Sequence, residues 1–562
     1  MKVEVIRLLK NNNLKNKKEI NKSNKKLEKI NNKITNLESK KELNKLDEYN
    51  LDKLKIQKKC LEHIVSSFET MTYEEARVEK ALTSEKRRRY QILNGNMFST
   101  ILMICIPLAI YAFFNSLYNL IDQIMASQIS KSAVSNIAVI SQLKNSISAF
   151  GAGVAGGGAV LVARYYGSGE LEHARKASAN MLLISLIVSS IILLILVPFN
   201  YPILKIAQTP NIDFGVELYF ILCMIELVFT SINSIFMGLE KIKGNSKKLL
   251  YLNVMMLLIK LFFNIIFIYG IKVDSIFYLE ISSIIGQASL FIIAVFVMFG
   301  KKNMLQIKLA NLKPKKLYII PIIKLSIPIF LGKFVMNLGK AVVNALCGSF
   351  YGEVTDGLIT GALGISNNLT GLVTSTTGVF EEGQSTVVSQ NIGNRNLKRT
   401  TKAFKCAMIS VAVICFIGFI LVSFVFLNPI TDLFAKAKAG EDIEKGLKLA
   451  KLVKQIYFFD CWSIPALGLT SVLLGLLYGY GKTFLSGILN FSRIGIRILT
   501  LIICHAAGMD YTAAGLSMGI SNVLIALMSF VFLVFFLRNL KKKGYASMRL
   551  SDPEPIAKEF AL

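Results

Sequence analysis

The sequence predicts an all-α, polytopic membrane protein. Twelve transmembrane helices fall into two six-helix halves that form a parallel repeat, behind a helical, partly disordered N-terminal cytoplasmic extension. Three observations predict this. The 562-residue chain is 53% hydrophobic and 18% charged, with positive mean hydropathy, whereas soluble domains carry about 25% charged residues. Its net charge of +29 is unevenly spread, with 24 Lys/Arg and 14 Asp/Glu in residues 1–90. The rest of the chain alternates long apolar segments with short basic loops. A soluble enzyme of two or three ordinary domains is excluded.

Residues 1–95 form the extension. Leu27, Ile30, Ile34 and Leu37 repeat at helical spacing, and Leu43, Leu46, Leu51 and Leu54 continue the stripe less regularly. No Gly or Pro occurs before residue 95. One or two exposed helices, as a short coiled coil or hairpin, follow from that pattern. Lys86, Arg87, Arg88 and Arg89 stand just before the first apolar segment, where such a cluster anchors a chain on the anionic inner leaflet. Because these residues are polar, the first hydrophobic helix reads as a true span and not as a cleaved signal.

Twelve segments of spanning length follow, near 97–125, 134–163, 177–204, 214–238, 249–271, 276–299, 317–346, 355–388, 402–427, 450–477, 484–507 and 511–538. Each is long enough for about 30 Å of hydrocarbon at about 1.5 Å per residue. They divide the chain into an N half (96–300), a linker (301–316), a C half (317–540) and a tail (541–562). With the N-terminus inside, even-to-odd connections should be cytoplasmic and basic. They carry Arg164, Arg175 and Lys176; Lys241, Lys243, Lys247 and Lys248; Lys301 to Lys316; and Arg395, Lys398, Arg399 and Lys402. Loops 347–354 and 508–510 carry no Lys or Arg, while 428–454 mixes Lys with acids. Both termini are therefore expected in the cytoplasm, with the chain in the cell membrane.

The chain also repeats itself. Sliding it so that Gly157 meets Gly383 brings Gly167 onto Gly393 and Lys176-Ala177 onto Lys402-Ala403. Pro107 in span one has its counterpart in Pro328 of span seven. An even number of spans per repeat gives both halves one orientation, an arrangement that encloses a central cavity and lets the halves rock. The GAGVAGGG run at 151–158 lies within span two and reads as a helix-packing surface, not a phosphate loop. The eight cysteines form no CxxC pair and the three histidines no ligand spacing. Walker and zinc motifs are absent, so no cofactor, metal or nucleic-acid partner is expected.

Ionisable groups inside spans cost a few kcal/mol or more and by default face a cavity. Asn115, Asn119 and Asp122 form one stripe on span one. Glu381 and Glu382 lie in a polar stretch of span eight, and Asp460 midway in span ten. Glu217, Glu226 and Glu280 sit in spans four and six, where helices often face lipid or one another. Cations are more unusual in such places. Lys144, Lys260, Lys333, Lys340, Arg493 and Arg497 all fall within spans, with Lys333 and Lys340 on one face and Arg493 and Arg497 on another. They either neutralise Asp122, Glu381 and Asp460 as buried pairs, snorkel to span ends, or bind an anionic substrate.

Several motifs resemble those of the multidrug and toxic compound extrusion (MATE) transporters, within the multidrug/oligosaccharidyl-lipid/polysaccharide exporter superfamily. IPLAIYAFFNSLYNLIDQIMAS in span one is similar to the family's P…L…LVDT pattern, with Asp122 at the acidic position. ARYYG closes span two, KLFFNIIFIYG occupies span five, LSIPIFL opens span seven, SQNIG closes span eight and GLLYGYGKT closes span ten. The resemblance covers roughly 97–538. It implies a non-enzymatic secondary exporter of small organic molecules or drugs, monomeric, coupled to protons or sodium, with Asp122 as coupling carboxylate. In other positions the chain departs from the family. Asn264 stands at the usual span-five acid, Lys260 at the usual Asn, and Tyr478 and Lys482 at the Arg and Asp of the span-ten motif. Two other readings follow from the residues: a flippase-like carrier of an anionic lipid-linked or organic-acid substrate, which would use Lys260, Lys333 and Lys340, and a membrane scaffold whose residues 1–90 bind a protein partner.

Overall fold

The computed structural model describes residues 2–40, 45–127, 131–206, 212–271, 273, 275–435 and 443–554, and all their regular structure is helical. Three helices precede the spans: α1 (Lys2–Glu38), α2 (Lys45–Thr70) and α3 (Tyr73–Asn94). The leucine-isoleucine stripe does form a hairpin, with Ile34 buried in α1 and Leu51, Cys60, Ile64 and Phe68 buried in α2. Lys55–Glu38 (2.9 Å) pairs its arms. Helix α3 starts at a capping box, in which Glu75 N donates to Thr72 Oγ1 and Thr72 N to Glu75 Oε2.

The spans are one (Met97–Ser127), two (Lys131–Ser168), three (Leu171–Leu196), four (Phe214–Ile242), five (Ser246–Ile265 with a π-turn Ile266–Ile271), six (Phe277–Phe299), seven (Lys316–Tyr351), eight (Ile359–Gly393), nine (Leu397–Ile420, continued by Leu421–Phe426 and Leu427–Ala435), ten (Ile443–Cys461 and Ile464–Gly479), eleven (Thr483–Ala506) and twelve (Ala513–Lys543). The segment expected to run on to residue 204 instead breaks after Leu196 and resumes as the short helix Asn200–Ile206. Among the described residues ten helices are long and apolar enough to cross a membrane, eleven when the two parts of span ten, bent by 52°, count as one. Span eight is the helix outside that set. Its polar side chains need not meet lipid, because it packs between spans one and two on one side and nine and ten on the other.

Each half has its own apolar core, and the first span of each half begins in the other half's core. Ile101, Ile104 and Cys105 belong to the C-half core, with Ile104 and Cys105 against Gly383 of span eight, whereas Leu108 and Tyr118 join the N-half core. Likewise Tyr318 and Ile322 of span seven lie in the N-half core, and Val343, Cys347 and Tyr351 in the C-half core. Pro107 and Pro328 sit where the spans cross over. A proline removes one helical hydrogen bond and clashes with the preceding turn, so a bend there comes at low cost.

Spans two and seven meet through the glycine run. A Cβ on Gly153 would lie 2.8 Å from Phe330 Cβ, and one on Gly157 2.5 Å from Ser326 Oγ. The run is thus a packing surface across the two halves, as its small residues predict.

Candidate functional site

Between the halves lies a polar cavity of ≈ 580 Å³, within the range of small-molecule sites, about 300–1,000 Å³. Spans one, two, seven, eight, ten, eleven and twelve line it. Asn119, Lys333, Lys340, Glu381, Asp460 and Arg493 all reach its wall, as does Arg497. A narrower extension of ≈ 110 Å³ reaches Lys241, Glu382 and Tyr478.

The stripe 115–119–122 does not form one cavity wall. Asn119 faces the cavity, but Asp122 turns into the N half and Asn115 is half-buried, with no hydrogen bond among the described residues. Asp122 Oδ1 accepts from Tyr118 Oη (3.1 Å) and Asn264 Nδ2 (2.9 Å), and Lys260 Nζ stands 3.7 Å from Oδ2. Lys260 also lies 4.6 Å from the Tyr118 ring centre, and Ser282 donates to Asn264 Oδ1. Asn264 and Lys260 therefore both hold Asp122.

A second knot lies beside it. Lys144 pairs with Glu226 and, at 2.7 Å, with Glu280. Glu226 and Glu280 are nearly fully buried (5% and 2% exposed), which carboxylates tolerate only when paired. Of the two surroundings expected for these glutamates, lipid or neighbouring helices, both face a neighbouring helix, span two. Sequence reasoning missed the site because its members come from spans two, four and six, far apart in the chain and with no local motif. Together Asp122, Glu226 and Glu280 set three carboxylates against the two ammonium groups of Lys144 and Lys260.

In the C half, Glu382 is held by Lys241 and by Lys333 (3.4 Å). Lys241 was not foreseen as a partner. Glu381 stands at the cavity wall near Tyr478. Asp460 is buried (3% exposed) and accepts from Thr370 Oγ1 (3.1 Å) and Ser463 Oγ (3.0 Å). Arg497 faces Asp460, and donates from Nε to Ser521 Oγ (3.1 Å) and from Nη2 to Asn522 Oδ1 (3.0 Å). Lys340, Arg493 and Arg497 have no carboxylate within 4.0 Å among the described residues. Pairing thus explains Lys260 and Lys333 but not these three.

The cavity is closed at the basic-loop end. Gly167 and Gly393, aligned by the sequence repeat, cross there. A Cβ on Gly167 would lie 2.1 Å from Gln390 O, and one on Gly393 2.1 Å from Arg164 O. Arg164 donates to Gly479 O (3.2 Å) and Tyr545 Oη (3.3 Å). Helix α3 straps both halves over this closure. Arg89 Nη2 donates to Gly167 O (3.4 Å), Arg88 Nε to Lys243 O (3.2 Å), and Glu85 accepts from Met304 N (2.8 Å). From the C half, Arg399 Nη2 donates to Ile92 O (3.1 Å) and Gly95 O (2.8 Å). Arg88 and Arg89 are thus spent on protein contacts rather than on a lipid leaflet. Burial lowers the Arg89 guanidinium to about 10, so it stays charged at neutral pH.

Two helical halves about a closed-ended polar cavity have the architecture of a membrane transporter. The MatE family model matches residues 107–266 and 328–503, and the chain belongs to that family. Both matches begin at the crossover prolines. Among solved structures, a MATE transporter in complex with MaL6 is similar at 17% identity and TM-score 0.73, covering 81% of this chain and 99% of that one. A transporter of the same superfamily from Pyrococcus furiosus, described by a binding pocket of reverse polarity, matches at 18% and 0.73 over the same shares. An outward-facing MATE multidrug-resistance transporter matches at 17% and 0.72 over the same shares. No curated protein matches the chain in sequence.

Proposed function

We propose that the protein is a proton-coupled secondary exporter of small organic molecules, working by alternating access in the cell membrane with both termini cytoplasmic. The observation that carries this reading is the N-half network. Its five charges are one negative charge from neutral, so uptake of one proton neutralises it. Neutralisation weakens the hold of Asp122 on Lys260, Tyr118 and Asn264, which tie span one to span five. Span one also carries Asn119 on the cavity wall, so a change at Asp122 is passed to the substrate site by the same helix. A proton fits better than sodium, because hydroxyl, amide and ammonium donors already occupy the carboxylate oxygens and leave no oxygen cage. The closure under α3 is then the cytoplasmic gate.

The test is flux in proteoliposomes across a substrate panel with imposed pH or sodium gradients. A pH gradient should drive export, and Asp122→Asn should uncouple it. Normal gradient-driven export by Asp122→Asn, or drive by sodium alone, overturns the mechanism.

A further inference from the structure

The N half neutralises its cations, whereas the C half leaves two uncompensated. At the cavity wall Lys333 is matched by Glu382, whereas Arg497 faces Asp460 without a salt bridge and Lys340 and Arg493 have no paired carboxylate among the described residues. The latter two line the cavity beside Arg497. Arg493 is only 8% exposed, and among the described residues its Nε has no acceptor and its guanidinium makes no hydrogen bond. A buried guanidinium left without an acceptor is costly unless something else supplies the oxygen atoms. Lys340 is exposed into the same space.

We propose that Lys340, Arg493 and Arg497 form an anion-binding site that takes a phosphate or carboxylate group carried on an organic molecule. The proposal rests on the transporter reading and names its substrate class. Arg497 is fixed by Ser521 and Asn522, so its charge is preorganised. Arg493 offers an unused planar fork, the geometry that pairs with two oxygens of a carboxylate or phosphate. Lys340 adds a mobile point charge opposite. The ≈ 580 Å³ cavity leaves room for an organic body. On this wall an organic cation would meet Lys333, Lys340, Arg493 and Arg497 against two carboxylates, Glu381 and Asp460, and Asp460 is already engaged by two hydroxyls. A soluble organic anion and an anionic lipid headgroup share the required chemistry.

The test is direct binding to the purified full-length chain in detergent, read by fluorescence anisotropy. The probes are 1-naphthyl phosphate and its trimethylammonium counterpart. The phosphate should bind and the ammonium should not. Lys340→Gln and Arg493→Gln should each weaken phosphate binding by about tenfold or more, the loss of one charge-assisted contact. Arg493→Lys, which keeps the charge but not the fork, should lose less. Equal binding of the two probes, or phosphate binding untouched by both Gln variants, overturns the proposal. So does displacement by inorganic phosphate as effective as by the naphthyl ester, which would make the site a counter-ion trap. Competition by dihexanoyl phosphatidate at lower concentration than by naphthyl phosphate assigns the site to a lipid headgroup, and the reverse order to a soluble anion. Because binding needs no gradient, the two readings fail separately. Anion binding without driven flux sinks the exporter reading, and driven flux without anion binding sinks this one.

Discussion

The two halves share one fold but use charge in opposite ways. Spans four and ten end at Gly244 and Gly481, both left-handed (φ 71° and 74°). Aligning these glycines brings Lys260 onto Arg497 and Cys223 onto Asp460. Each half therefore holds a cation at the same place in its fifth helix, and each answers it with a carboxylate. The answer comes from span one in the N half and span ten in the C half. The difference lies in what is added. The N half adds a buried knot of Lys144, Glu226 and Glu280, closed on itself. The C half adds Arg493 and Lys340, which face the cavity with no salt bridge among the described residues. A scaffold repeated in sequence thus carries a self-satisfied network on one side and an open one on the other. Only the open one has valence left for a ligand.

That contrast can be broken by substitution. Lys144→Met should be the most damaging change, because it leaves two buried carboxylates facing each other. Removing one partner of such a pair costs about 3–5 kcal/mol, to be read as a large fall in melting temperature in detergent. Glu280→Gln in the same background should restore part of it. Lys340→Met, its counterpart in the open network, should melt at or above the parent temperature. A fall as large as for Lys144→Met would show that Lys340 is structural. Arg399→Ala should come next, since it cuts the strap of α3 to the C half. Hydrogen bonds to charged groups are worth about 1.5–3 kcal/mol each, and faster protease cleavage near Gly95 is the expected readout. Gly157→Ala should cost about 1–3 kcal/mol by overpacking the contact with Ser326, measured by the same melting assay. Lys448→Ala, which removes the exposed pair with Asp356 (2.5 Å), should change stability by no more than about 1 kcal/mol.

The spans were legible because length and hydropathy are local properties, and the repeat because glycines and prolines at tight crossings leave little choice of residue. Asp122, Lys260 and Asn264 could be placed by their position in a motif. Even so, their joint hydrogen bonding, and the turn of Asp122 away from the cavity, needed the third dimension. The Lys144 knot was not legible. Glu226 and Glu280 sit in ordinary apolar helices, and nothing nearby marks them as partners of a lysine in span two. Lys86 to Arg89 shows the opposite failure. Four basic residues before a span look the same whether they meet lipid or protein. Only the fold reveals that Arg88 and Arg89 reach the carbonyls of Lys243 and Gly167.

The exchanged starts of spans one and seven have a consequence for how the protein is made. Cys105 sits where a Cβ on Gly383 would lie, 2.5 Å from the sulfur, so the base of span one is completed by a residue synthesised about 280 positions later. At translation rates of about 5–20 residues per second that is a wait of roughly 15–60 s. During the wait Ile101, Ile104 and Cys105 lie in the bilayer without their final neighbours. The N half then cannot reach its finished form ahead of the C half, and biogenesis ends in a single late clasping step rather than in two successive ones.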